Sequence, residues 1–217
     1  MQFDILTIFP DIVESYAHES ILGRAQKKKL IKITAHDLRD WAHGKHRSVD
    51  DTPYGGGPGM VMRADVIARA VKDLSKTKKK KTRVILFSAA GKLFTQRDAT
   101  RYAKKYGCLI MICGRYEGVD ERVAKYVADE EISIGDYVLS GGELPALVVT
   151  EAVARLIPGV LGKKESEESK RLGVGVLQYT RPEEIIIGGK KPQVPDVLIS
   201  GHHAEIERWR KESLKES

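Results

Sequence analysis

The sequence predicts an α/β fold with a mostly parallel sheet. Apolar segments typical of strands alternate along the chain with segments whose apolar residues recur at helical spacing. The run Cys108–Cys113 is apolar at every position, which is typical of a strand buried on both faces of a parallel sheet. The chain has 217 residues, enough for one large domain or for one domain and a small second one.

The elements of the first half follow from these patterns. Phe3–Ile8 is expected to form a strand, and Pro10 suits the first turn of the helix that follows it. Leu30–Ala35 alternates as a second strand. The segment 43–59 is polar and rich in glycine, and a loop of that length is usually functional or disordered. Ala64–Leu74 carries its apolar residues on one face and is expected to be a helix.

The second half continues the alternation. Strands are expected at Arg83–Phe87, Cys108–Cys113 and Ile132–Ile134, and helices at Thr95–Lys105, Asp120–Tyr126, Glu143–Leu156 and from His203 to about Leu214. Composition changes near Gly162, and the segment 163–170 has no hydrophobic residue, which indicates a linker. We therefore expect a first domain over 1–160, a linker over 161–172 and a small C-terminal domain over 173–217.

Composition and charge limit the classes of function. The formal net charge is +7, and lysines form four short runs, which favours contact with a polyanion such as nucleic acid. Apolar runs fall short of the roughly 20 residues of a membrane span, and the N-terminus lacks the positive region of a secretory signal. Cys108 and Cys113 stand at opposite ends of one predicted strand, too far apart for a disulfide. We expect both to be buried free thiols in a reducing cytoplasm.

Three glycine-bearing segments follow predicted strands, at Leu86–Gly91, Ile112–Gly118 and Ile132–Gly142. In an open α/β sheet, ligands bind outside the carboxyl ends of the strands, and glycine lets a ligand approach the backbone closely. None of the three is a dinucleotide fingerprint, and the chain has no phosphate-binding loop of the Walker type. Each glycine loop alone could be structural, but the three together predict a ligand pocket.

A polar segment adds further candidate groups. Gly55–Gly59 has the composition of a lid that folds over a bound group. His43–Arg47, just before it, is a basic cluster suited to phosphate contacts. The histidines of that cluster lack a clear third ligand for a metal ion, and the adjacent pair His202–His203 would point apart on a helix. These side chains therefore predict no metal site.

Seven motifs stand in order along nearly the whole chain. They are Thr7–Pro10, Tyr54–Met60, Gly114–Arg122, Ile134–Glu143, Arg155–Gly162, Tyr179–Pro182 and Ser200–Glu205. Together they resemble bacterial tRNA (guanine-N1)-methyltransferase, the TrmD family. The resemblance implies the SPOUT fold, an α/β domain with a deep trefoil knot, followed by a small helical C-terminal domain. It also implies S-adenosyl-L-methionine bound in the knot, a homodimer with the active site at the subunit interface, and methylation of N1 of guanosine at tRNA position 37.

By the same resemblance, the methyl donor is expected to contact thirteen residues, most of them through backbone groups. These are Leu86, Phe87, Ser88, Gly114, Glu117, Gly118, Ser133, Ile134, Gly135, Tyr137, Leu139, Gly141 and Gly142. The segment Ser88–Gly91 departs from the Ser-Pro-x-Gly usual in the family, which changes the stiffness of the loop but not its backbone donors.

The chemistry requires a base and a cation. Guanine N1 carries a proton, so methyl transfer needs a positioned base, and a fixed cation stabilises the negative charge that develops on O6. The resemblance places Arg155 in the cationic role, although an arginine at a helix end could instead pair with the helix dipole. The family's base is a linker aspartate followed by serine. This linker has no aspartate, so Glu168 is the nearest match, Glu165 is the runner-up, and a merely solvated glutamate is the alternative.

Candidates for contact with tRNA lie at both ends of the chain: His46, Arg47, Asp50, Gly59, Ser200 and His202. Members of the family can require Mg²⁺, but the sequence has no evident carboxylate cluster for it. Two other functions stay open at this point. One is a SPOUT-class RNA methyltransferase with a different RNA target, and the other is a non-catalytic RNA-binding relative.

Overall fold

The structure, a computed structural model, describes residues 1–76, 81–161 and 177–213. The chain divides into two compact units, Met1–Leu161 and Gly162–Ser217. The first unit contains a five-stranded sheet formed by β1 (Gln2–Thr7), β2 (Lys32–Asp37), β5 (Thr82–Leu93), β6 (Cys108–Cys113) and β7 (Glu130–Ser133). A short antiparallel hairpin, β3 (Asp50–Asp51) and β4 (Val61–Met62), stands outside it. The helices of this unit are α1 (Pro10–Ala17), α2 (Ser20–Lys27), α3 (Ala64–Lys76), α4 (Gln96–Lys105), α5 (Glu121–Tyr126) and α6 (Glu143–Ala154).

The sheet is parallel throughout, in the order β2-β1-β6-β5-β7. All six residues of the central strand β6 are buried, as its continuous apolar run predicts. Apolar side chains from α1, α2, α4 and α6 cover one face of the sheet, and those from α3 and α5 cover the other. The predicted mixed α/β fold with a mostly parallel sheet is therefore confirmed.

Strand β5 differs from the prediction in a way that shapes the site. The sequence predicts that it ends at Phe87, but it continues to Leu93. Both Phe87 and Lys92 pair with Ile132 of β7, so the four residues between them bulge out of the ladder. A Cβ atom on Gly91 would lie 2.6 Å from the backbone of Ile132. Only glycine allows the strand to rejoin its neighbour so closely after the bulge.

The sequence patterns did not predict several smaller elements. Helix α2 and a 3₁₀ turn at Leu38–Trp41 are present, and the polar segment 43–59 contains strand β3. Where elements are correctly predicted, their ends differ by a few residues, as at β1 and α6. Thr95 caps α4 as expected, because its side chain accepts a hydrogen bond from the backbone of Asp98.

The described part of the second unit is small and largely exposed. It contains α7 (Asp196–Ile199) and α8 (His203–Glu212), and neither helix has a buried residue. Two isolated antiparallel bridges, Glu184 with Gln193 and Ile187 with Lys190, join the segment before α7. Of the predicted linker, only Leu161 lies within the described residues, so the domain boundaries stay a prediction.

Both cysteines are buried and neither forms a disulfide among the described residues, as expected. Among the described residues, no helix combines the length and the apolar character that spanning a membrane requires.

Candidate functional site

A cavity of about 440 Å³ lies at the carboxyl ends of β5, β6 and β7. Its walls come from the β5 bulge, from the segment 114–119 after β6, and from the segment 133–142 after β7. Glu131 and Ile132 of β7, two residues of α5 and Pro145 of α6 complete the lining. The volume is within the roughly 300–1,000 Å³ of small-molecule pockets. The three glycine-bearing segments predicted to form a pocket do line one cavity.

Twelve of the thirteen residues predicted for the methyl donor line this cavity. They are Leu86, Phe87, Ser88, Gly114, Glu117, Gly118, Ser133, Ile134, Tyr137, Leu139, Gly141 and Gly142. Gly135 is not part of the lining. A Cβ atom on Gly135 would lie 2.2 Å from the ring of Tyr137, so this glycine instead leaves room for the tyrosine ring to fold back beside the loop.

The segment after β7 passes very close to the end of β6. The amide of Gly142 donates a hydrogen bond to the carbonyl of Gly114 over 3.0 Å. A Cβ atom on Gly142 would lie 2.6 Å from the Cα atom of Cys113. The chain then continues directly into α6, which packs against β1, β6, α1 and α4. The cavity wall is therefore held by backbone contacts that tolerate no side chain at this position.

A buried ion pair, which the sequence patterns did not predict, joins three segments behind the cavity. The Glu143 side chain is 1% exposed, and its carboxylate accepts hydrogen bonds from Thr7 Oγ1 at 2.6 Å and from Arg115 Nε at 2.9 Å. The Arg115 guanidinium also lies 4.7 Å from the ring centre of Phe9. Thr7 is the last residue of β1, Arg115 lies just after the end of β6, and Glu143 is the first residue of α6. This cluster, the Thr7–Arg115–Glu143 network, ties the ends of these elements together.

The same network bears on the chemistry of Cys113. Burial raises the pKa of this thiol well above its usual value, the Glu143 carboxylate raises it further, and Arg115 opposes them only in part. The thiol is thus protonated at neutral pH. Because the thiolate is the reactive form, Cys113 is not placed to act as a nucleophile.

The β3–β4 hairpin is attached to the cavity wall. The amide of Glu117 donates to the carbonyl of Met60 at 3.0 Å, and the amide of Met62 donates to the carbonyl of Gly118 at 2.9 Å. Gly59 lies against the Glu117 side chain so closely that a Cβ atom would come within 2.4 Å of its Cγ atom. The hairpin carries Asp50 on β3. Two of the predicted tRNA contacts, Asp50 and Gly59, therefore belong to an element that borders the cavity.

The other predicted substrate residues are more dispersed. His46 is exposed, and Arg47 forms an ion pair with Asp40 and donates a hydrogen bond to the carbonyl of Arg39 at 2.9 Å. Ser200 and His202 lie in the second unit, where the Ser200 hydroxyl accepts a hydrogen bond from the amide of His202.

Of the two predicted catalytic residues, only Arg155 is described by the structure, and it is not part of the cavity lining. Arg155 stands at the C-terminal end of α6. Glu168 lies outside the described residues. In residues 1–76, 81–161 and 177–213, no three histidine, cysteine, aspartate or glutamate side chains converge to hold a metal ion, so the suggested Mg²⁺ requirement gains no support.

The chain is similar to known proteins over its whole length. A family model described as tRNA (Guanine-1)-methyltransferase TrmD matches residues 1–217. A relative from Dictyoglomus turgidum is 50% identical over 221 residues, which cover 100% of this chain and 86% of the relative. Relatives from Geobacter sp. (strain M21) and Ruminiclostridium cellulolyticum are 48% and 49% identical, covering 99% and 97% of this chain and 86% and 89% of their own lengths. All three are named tRNA (guanine-N(1)-)-methyltransferase.

Proposed function

The chain belongs to the tRNA (guanine-1)-methyltransferase family, and on that premise we propose that it transfers a methyl group from S-adenosyl-L-methionine to N1 of guanosine at tRNA position 37. The observation that carries the proposal is the match of the family over residues 1–217. The glycine-walled cavity at the sheet edge gives the reaction a site. Its size and composition fit the proposed methyl donor.

The fit of the donor rests on features of the cavity itself. The segment 133–142 lines the cavity, and we expect its backbone N–H and C=O groups to hydrogen-bond the adenine and ribose, since the close approach at Gly142 leaves no room for a side chain there. The carboxylates of Glu117 and Glu131 line the cavity and suit a ligand that carries positive charge, whereas that of Glu121, also in the lining, is largely exposed and lies 3.6 Å from Lys125. When bound, the donor supplies a methyl group already activated by the sulfonium. The protein then has mainly to bind, orient and remove a proton.

We propose further that the segment after β7 is the knotted part of a SPOUT fold. The supporting observation is its path. From β7 at the edge of the sheet, the chain returns past the end of β6 at the sheet's middle and continues into α6, which packs on β1 and β6. Such a path is needed if the chain is to thread the loops that follow β5 and β6.

A homodimer would explain why Arg155 does not line the cavity. Helices α1 and α6 pack against each other and expose large apolar side chains, namely Ile12, Tyr16, Leu144 and Val148, with Phe9 just before α1. An apolar surface of this kind is typical of a protein interface. We propose that a second copy covers it and that the active site is completed between subunits, with Arg155 and Glu168 as catalytic residues.

We expect the tRNA to contact residues of the basic cluster His43–Arg47, of the β3–β4 hairpin and of the second unit. His46, Arg47, Asp50 and Gly59 are proposed contacts in the first unit, and Ser200 and His202 in the small helical C-terminal domain. The net charge of +7 suits a polyanionic substrate. Cys108 and Cys113 are buried thiols without a disulfide among the described residues, which agrees with a cytoplasmic location, where tRNA is also found.

Arg155→Ala is expected to lower the rate of methyl transfer by about 100- to 1,000-fold, because O6 of guanine loses the cation that stabilises its developing charge. The affinity for S-adenosyl-L-methionine should stay within about twofold. Single-turnover rates and calorimetric donor binding measure the two effects. Arg155→Lys is the control, because lysine also complements the helix dipole. Full activity in Arg155→Ala would assign this residue a purely structural role.

The function is tested with labelled donor and two tRNA transcripts, one with guanosine and one with adenosine at position 37. We expect labelling of the first transcript only. Equal labelling of both would favour a SPOUT-class methyltransferase with another target. Donor binding without transfer to either transcript would favour a non-catalytic RNA-binding relative.

A further inference from the structure

Two adjacent glutamates on β7 point to opposite faces of the sheet, as successive residues of a strand must. Glu130 pairs in register with Ile85, and Glu131 pairs with Leu86. The Glu130 carboxylate accepts hydrogen bonds from Arg83, Arg101 and Tyr102. The two from the Arg101 guanidinium nitrogens are 2.6 and 2.7 Å long. Glu131 faces the other way and lines the cavity beside Leu86.

Their electrostatic surroundings differ as much as their directions. Burial alone would raise the pKa of Glu130, but hydrogen bonds from Arg101, Tyr102 and Arg83 lower it below its usual value. The negative charge of this carboxylate is therefore already compensated by its neighbours. Glu131 is half-buried. Within the described residues, no hydrogen bond or ion pair satisfies its carboxylate. A half-buried carboxylate in a cavity wall that is not itself paired with a cation can bind a positively charged ligand.

The charge balance of the cavity points the same way. Among the described residues, those that line the cavity with a charged side chain are Arg115, Glu117, Glu121 and Glu131. Arg115 is the sole cation among them, and its charge is compensated by the buried Glu143, whose Oε2 atom lies 2.9 Å from Arg115 Nη2. The cavity is therefore acidic although the protein as a whole carries a net charge of +7. An acidic cavity in a basic protein favours a cationic occupant over a neutral one.

We propose that Glu131 makes the cavity select the cationic methyl donor over its neutral product. The inference rests on the proposed function. In the transfer, the bond from sulfur to the methyl carbon breaks, its electron pair stays on sulfur, and a new bond forms between that carbon and N1 of guanine as the N1 proton passes to the base. The sulfonium becomes an uncharged thioether. The attraction of Glu131 for the sulfonium is lost at that moment, which favours release of the product.

Glu131→Gln tests this role because it removes the charge and keeps the shape. Calorimetry gives the affinities of the full-length protein for S-adenosylmethionine and S-adenosylhomocysteine. We expect the substitution to lower the preference for the first over the second on the order of fivefold, the effect of one partly screened charge at several ångströms, almost entirely through weaker binding of S-adenosylmethionine. Sinefungin, which carries an amine in place of the sulfonium, should weaken as S-adenosylmethionine does.

Glu121→Gln is the matched control, since this residue lines the same cavity. Its side chain is 71% exposed and lies 3.6 Å from Lys125, so solvent and lysine screen it, and the preference should change by less than about twofold. An unchanged preference in a folded Glu131→Gln variant would overturn the inference and leave the proposed function intact. If the unmodified protein bound neither compound, the proposed function would fail together with it.

Discussion

Glu168→Gln is expected to abolish methyl transfer while leaving the binding of S-adenosyl-L-methionine intact. The amide keeps the size of the side chain but cannot accept the N1 proton, and positioned bases contribute about 100- to 10,000-fold to such reactions. The cavity proposed for the donor lies in the first unit and is lined by residues between Leu86 and Pro145. Donor affinity should therefore stay within about twofold in calorimetry, while the single-turnover rate with a tRNA transcript falls by at least about 100-fold.

The neighbouring linker glutamates provide matched controls for this substitution. Glu165→Gln and Glu167→Gln make the same chemical change a few residues away and are expected to keep activity within about threefold. A fully active Glu168→Gln variant would contradict the assignment, and the inactive member of the set would then identify the base. Loss of activity in all three would point to a linker that acts through its overall charge.

Glu143→Gln is expected to lower the free energy of unfolding by about 3 kcal/mol, because breaking a buried ion pair leaves its partner uncompensated. The Arg115 guanidinium would lose its carboxylate partner at 2.9 Å, and Arg115 itself lines the cavity. The substitution should therefore also weaken donor binding. Chemical denaturation measures the first effect and calorimetry the second.

Glu121→Gln again serves as the control, because an exposed glutamate beside a lysine contributes little to stability, about 0.5 kcal/mol or less. A double-mutant cycle with Arg115→Gln isolates the coupling between the two network residues. If Glu143→Gln unfolded at the same denaturant concentration as Glu121→Gln, the Thr7–Arg115–Glu143 network would not hold the three segments together.

Local patterns were enough to predict the main sheet and most helices. The apolar run of β6 coincides with the strand Cys108–Cys113, since a strand buried on both faces needs no alternation. The extension of β5 could not be predicted, because the residues beyond the bulge rejoin the ladder only through their contact with Ile132. The strand therefore depends on a partner about forty residues away, which local periodicity does not record.

The site, like the fold, has features that local sequence patterns predict and features that depend on residues distant in the sequence. The glycine segments carry their signal in the sequence and line the predicted cavity. The role of Glu143 is invisible locally, because its hydrogen-bond partner Thr7 is 136 residues away. Its charge at the start of a largely apolar helix was the one available signal. For Glu131, alternation on β7 could have separated it from Glu130, but only the register with β5 identifies which face borders the cavity.

The most direct test of the proposed function is the identity of the modified nucleoside. A tRNA transcript with guanosine at position 37 is incubated with the protein and labelled S-adenosyl-L-methionine, digested to nucleosides and separated by mass-coupled chromatography. We expect 1-methylguanosine as the labelled product, and none from the transcript with adenosine at that position. Label in another methylated nucleoside, or in 1-methylguanosine derived from a different position, would contradict it.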